Sequence, residues 1–89
     1  MSQRYDLQFR PAAAKTLRKL PRDVAKRIKE TTEALRDDPR PRGVTALQGQ
    51  NALLRVRVAD YRIVYRIDDG ALIVLVIHIG HRRDVYRGL

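Results

Sequence analysis

The sequence predicts an α+β fold of order β-α-α-β-β-β: an N-terminal strand, a helical hairpin packed on one face of a small, mainly antiparallel sheet, and a short C-terminal tail. Three observations predict it. Residues 53–67 alternate apolar and polar side chains, the period of half-buried strands. Val24, Ile28, Thr31 and Leu35 recur at spacings of 4, 3 and 4, the apolar stripe of a helix. Asp68-Asp69-Gly70 divides the alternating run from an almost wholly apolar one, as a hairpin turn does. With 89 residues and no internal repeat, a single domain, 1–89, with one core accounts for the whole chain.

Tyr5–Phe9 alternates weakly and predicts a short first strand. Arg10-Pro11 opens a helix, since the missing N–H of proline is no loss in a first turn. Ala13, Leu17 and Leu20 share one face of it. Pro21 interrupts and restarts the chain, and Asp23 falls in the new first turn, where the helix dipole favours a carboxylate. Asp37-Asp38-Pro39 ends the second helix, because the residue before proline disfavours α geometry. Its outer face, with Lys26, Lys29, Glu30 and Glu33, reads as solvated surface. Residues 40–51 carry Pro41, Gly43 and Gly49, hold no carboxylate, and are expected to be a loop.

In Leu53–Val58, Leu54, Val56 and Val58 point one way and Leu53, Arg55 and Arg57 the other. In Tyr61–Ile67, Tyr61, Ile63, Tyr65 and Ile67 form one face and Arg62, Val64 and Arg66 the other. Gly70 is expected to supply the positive φ of the following turn. Ala71–Ile79 reads as a central strand covered on both faces. Strict alternation would place Ile73, Leu75, Ile77 and Ile79 on one side, and Leu72, Val74, Val76, His78 and Gly80 on the other. The last nine residues, HRRDVYRGL, are too few for an independent helix, so the tail is expected to dock on the sheet or fray.

This arrangement gathers Arg55, Arg57, Arg62 and Arg66 on one surface, with His78 a further candidate, and brings Arg82 and Arg83 just past the last strand. The net charge is +9, a balance that suits a polyanionic partner. All lysines (Lys15, Lys19, Lys26, Lys29) precede residue 30; from Arg40 on, every permanent cation is arginine. Guanidinium grips phosphate through a planar fork and stays charged when partly buried, which favours a shaped phosphate site. Replacement of Lys by Arg across a GC-rich genome would give the same usage. Without cysteine there is neither a disulfide nor a thiolate metal site, and two histidines without a nearby carboxylate pattern argue against zinc. No cofactor is implied. The N-terminus lacks an apolar run of signal-peptide length, and Ala71–Ile77 is too short to span a bilayer, so a cytoplasmic location and no membrane partner are expected.

The order of elements, with KLPRDVAKRI (19–28), DYRIVYRIDD (60–69) and IGHRRDVY (79–86), resembles the RelE/ParE superfamily of bacterial toxins over nearly the whole chain. The joint occurrence of these pieces is the specific signal; each alone is weak. The resemblance implies the toxin of a type II toxin–antitoxin system, with a cognate antitoxin as partner. RelE-type members are ribosome-dependent endoribonucleases that cleave mRNA in the A site and so inhibit translation, with ribosomal RNA and mRNA as partners. ParE-type members inhibit DNA gyrase without nuclease activity. A toxin that has lost activity and only binds its antitoxin is a third reading.

Carried across by position, the RelE-type catalytic set falls on Arg55, Arg57, Arg62, Arg82 and Tyr86. Arg55 and Arg57 stand where that branch commonly has lysine, and guanidinium cannot give up a proton near neutral pH. In this implied site Arg62 stabilises the pentacoordinate phosphate, and Arg55 and Arg57 hold phosphates beside it. Tyr86 is a candidate base, and Arg82 donates to or neutralises the leaving oxygen. His81 is a candidate acid or base, with an ordinary pKa near neutrality. Arg66 and Arg83 add phosphate contacts. Read without the resemblance, Arg55 and Arg57 are ordinary outward residues of an amphipathic strand, Arg62 and Arg66 are partners for Asp60, Asp68 or Asp84, and Tyr86 is a packing residue that pins the tail.

Overall fold

A computed structural model describes residues 4–46 and 53–81. Strand β1 (Asp6–Phe9) leads into helices α1 (Pro11–Lys19) and α2 (Arg22–Ala34), followed by β2 (Thr45–Ala46), β3 (Leu53–Val58), β4 (Tyr61–Asp68) and β5 (Ile73–His81). The helix boundaries follow the prolines. Pro11 occupies the first turn of α1, and Pro21 caps the start of α2 with Asp23 just inside it.

The strands form one sheet of order β1-β5-β4-β3-β2. All pairs are antiparallel except β1 with β5, which run parallel. The α1–α2 hairpin is the crossover that makes this parallel return possible. The meander of β3, β4 and β5 is thus extended at both edges. The two-residue strand β2 lies in the stretch expected to be loop, and pairs Thr45 with Arg55 and Ala46 with Leu54. No turn signal marks so short an element in the sequence.

One face of the sheet carries the core. Ile63, Tyr65, Val74 and Val76 are fully buried, with Ile79 and Val58 nearly so, against Ala13 of α1, Ile28 of α2 and Leu35 at its end. Thr32 is also fully buried, where periodicity pointed to Thr31; its hydroxyl donates to the Ile28 carbonyl at 2.9 Å, which satisfies the polar group locally. Tyr65 donates to the Pro39 carbonyl at 2.6 Å and pins the segment after α2 onto the sheet. Burial pushes this phenol up to about 12.

Two expectations fail in informative ways. Gly70 does not adopt a positive φ; Leu72 does, at 56°, immediately before β5, while the Asp68 carboxylate accepts from the Ala71 N–H at 2.9 Å inside the turn. The second failure is the parity of β5. Val64 faces His78 but Tyr65 faces Val76, so Ile77 is an extra residue and β5 bulges there. The bulge puts Val74, Val76, Ile79 and His81 on the core side, and Leu75, His78 and Gly80 on the other. Strict alternation had joined His78 and Gly80 to Val74 and Val76.

Candidate phosphate-binding face

The face of the sheet opposite the core is built from the outward positions of β3, β4 and β5. Arg57 and Arg62 are directly opposed across β3 and β4, and Arg55 opposes Val64 on the same side. Directly opposed side chains begin about 5 Å apart, and diagonal ones about 7 Å, so these three guanidiniums reach a common point. Arg62 in turn faces Gly80, which places no side chain beside it, and Val64 faces His78. Val64 is fully buried yet stands outside the main core cluster. It is an apolar floor beneath Arg55 and between the arginines and His78.

The electrostatics agree with the geometry. Arg55 is held below the ordinary guanidinium range, first by desolvation and then by the charges of Arg62 and Arg57. A guanidinium remains cationic under such pressure. Like charges facing each other across a ladder oppose folding, and a bound anion removes that opposition. Away from this strip, Arg4 pairs with Glu33 and Asp37, Arg36 with Glu33, and Arg40 with Asp69. Arg66 was weighed as a partner of Asp68, but no ion pair joins them.

Arg66 lies farther along β4, opposite Leu53 on one side and Leu75 on the other. With Gln8, Asp68, Ile73 and Leu75 it lines a pocket of about 150 Å³ at the end of the same face. No local pattern in the chain marks this pocket, because Gln8 arrives through the parallel β1–β5 pairing. His81 pairs with Tyr61 across β4 and β5, with ring centroids 5.6 Å apart and planes at 83°. That pairing sets it on the core side of the sheet, away from the Arg62 side. Arg82, Arg83 and Tyr86 lie outside the described residues.

A second polar cluster also escaped sequence reasoning. Tyr5 donates to Asp69 at 2.7 Å, and Arg40 donates to the same carboxylate at 2.9 Å. The cluster ties the N-terminal segment, the chain after α2 and the β4–β5 turn together. It lies at the surface, where solvent screens such bridges and each contributes little. No helix among the described residues is long and apolar enough to cross a membrane.

Comparisons with known proteins agree with this architecture. The family model described as the ParE toxin of the type II toxin–antitoxin system parDE matches residues 7–86. Toxin RelE and Toxin RelG of Mycobacterium tuberculosis are 34% and 31% identical to the chain, each over 84 residues; the alignments cover 93% of this chain and 87% and 97% of theirs. A chain of the archaeal RelE–RelB complex from Pyrococcus horikoshii superposes with a TM-score of 0.79 at 26% identity, covering 88% of this chain and 94% of that one. A chain of the RelBE2 toxin–antitoxin complex from Mycobacterium tuberculosis gives 0.77 at 30% identity, covering 89% and 99%. Matched from its first strand to beyond its last, the chain belongs to the RelE/ParE superfamily and is a toxin of a type II toxin–antitoxin system.

Proposed function

We propose that this toxin is a ribosome-dependent endoribonuclease that cuts mRNA in the A site and thereby stops translation. The observation that carries the reading is the direct opposition of Arg57 and Arg62 beside Arg55, on a face with an apolar floor. Like charges set this close repel, and an anion bound between them relieves the repulsion. The arrangement suits a phosphodiester, whose charge grows as the 2′ oxygen attacks. In this reading Arg62 stabilises the pentacoordinate phosphate, the largest contribution in reactions of this kind. Arg55 and Arg57 hold the flanking phosphates, and Arg66 extends the track. Arg82, Arg83 and Tyr86, outside the described residues, complete the set on the strength of the resemblance alone.

The antitoxin is the second partner in this reading. The neighbouring structures from Pyrococcus horikoshii and Mycobacterium tuberculosis are toxin–antitoxin complexes, which supports a cognate antitoxin for this chain. An acidic or amphipathic segment covering the arginine face would neutralise it. The cytoplasm, where ribosomes and mRNA are, is the location that fits.

A ParE-like gyrase inhibitor is the alternative, favoured by the family model that matches. Inducible expression separates the two. Mapping of RNA 5′ ends is expected to show breaks inside translated codons, without induction of a DNA-damage reporter. DNA damage with intact mRNA would overturn the nuclease reading in favour of gyrase.

A further inference from the structure

The arginine face is rich in hydrogen-bond donors and poor in acceptors. Guanidiniums can bind a phosphate and donate to a leaving oxygen, but none of them accepts a proton. Cleavage by the 2′-OH needs an acceptor, and among the described residues of this face His78 fits that need.

Its position depends on the bulge at Ile77. Without that extra residue His78 would share the side of Val76 and point toward the helices. With it, His78 opposes Val64 on the arginine side, one step along β5 from Gly80, which faces Arg62. Bulges re-aim side chains in this way and are frequent beside active sites. Arg62 and His78 stand on a diagonal across β4 and β5, about 7 Å apart at the backbone, within reach of a shared substrate.

The charged groups around His78 are Arg62 and Arg66 on β4, Arg55 and Arg57 on β3, and Arg10 at the end of β1, whose N–H donates to the Val76 carbonyl at 2.9 Å. Among the described residues, three carboxylates near this face lie toward its ends. Asp68 is six residues from Arg62, about 20 Å along an extended strand. Asp6 pairs with Ile73 at that same far end. Asp60 is exposed in the β3–β4 turn, beyond the β4–β5 ladder. His81 turns to Tyr61 on the other side.

We infer that His78 is the proton acceptor of the cleavage reaction. This inference rests on the endoribonuclease reading. The imidazole takes the proton of the 2′-OH as the 2′ oxygen bonds to phosphorus. The bond from phosphorus to the 5′ oxygen breaks, and water supplies the proton that the 5′ oxygen needs. The products are a 2′,3′-cyclic phosphate and a 5′-hydroxyl, and the imidazolium returns its proton to solvent.

Single-turnover cleavage of a model mRNA on programmed ribosomes, measured against pH, tests this with the full-length chain. For the parent the rate should rise with pH and level off through a single ionisation. His78→Gln should lose that inflection and fall roughly 10²–10⁴-fold, the usual share of acid–base help. Added imidazole should restore part of the rate to His78→Ala, which a merely structural role would not allow. A parent inflection that persists in His78→Gln, or that is lost instead in Asp60→Asn or Tyr86→Phe, overturns the assignment while the nuclease reading stands. No cleavage by the parent at any pH overturns that reading and this inference with it.

Discussion

The two faces of the sheet are made by the same three strands and are built to opposite ends. On the covered face, Leu54, Val56 and Val58 meet Tyr61, Ile63 and Tyr65, and β5 adds Val74, Val76 and Ile79. Each side chain there gains by leaving water, at about 25 cal/mol per Å² of apolar surface. On the open face, Arg57 meets Arg62 and Arg55 lies beside them, so like charges face each other across the ladder. Val64 is fully buried on that face, and it supports the cluster from below. The difference teaches that two faces of the same strands can do opposite work: one side holds the chain together, and the other sets like charges against each other.

The comparison breaks most visibly on the covered side. Ile63→Ala removes a fully buried side chain at the centre of β4 and should destabilise the fold by about 2–5 kcal/mol. Chemical denaturation checks this, and loss of activity should follow only from loss of folded protein. The neighbouring residue answers differently. Arg62→Ala should leave the melting temperature nearly unchanged and reduce mRNA cleavage roughly 10²–10³-fold, the scale of one lost charge-stabilising donor. A large fall in stability with normal specific activity would invert the roles given to the two faces.

A smaller effect sharpens the contrast. Arg57 is exposed and directly opposed to Arg62, so Arg57→Gln should raise stability by a few tenths of a kcal/mol, within the range of surface substitutions. The same change should lower RNA affinity and reduce the slope of log affinity against log salt by about 1. A stability gain coupled to a binding loss is the signature of a face built for a ligand. Equilibrium unfolding and binding at several salt concentrations measure the two sides of that exchange.

The smallest effect lies away from both faces. Hydrogen bonds from Arg40 and then Tyr5 hold the Asp69 carboxyl below its ordinary 3.8. A carboxyl lowered in the folded state stabilises above its unfolded pKa, and that contribution is lost as pH falls through the folded value. The parent should therefore melt slightly above Asp69→Asn at neutral pH, and the gap should narrow as pH falls below the ordinary carboxylate range. The group is exposed, so the gap at neutral pH should be small.

Much of this contrast is legible in the chain. Alternation alone assigns every side chain of β3 and β4 to its face, because both strands keep their pleat from end to end. The prolines mark both helix starts. The parity of β5 is not legible: an apolar run gives no sign of where one residue is extra, since Ile77 is as apolar as its neighbours. The positive φ at Leu72 is hidden for a related reason, as a nearby Gly70 makes the more obvious choice. The pocket at Gln8 and Arg66, and the junction of Tyr5, Arg40 and Asp69, depend on contacts between distant segments that no local pattern records.

The most direct test of the arginine face compares the parent with Arg62→Ala on ribosomes programmed with a defined mRNA, both proteins first shown to be folded. The parent should cut within the A-site codon, and Arg62→Ala, equally folded, should leave nearly all of the message intact. Equal cutting by the two proteins would contradict the role given to this face.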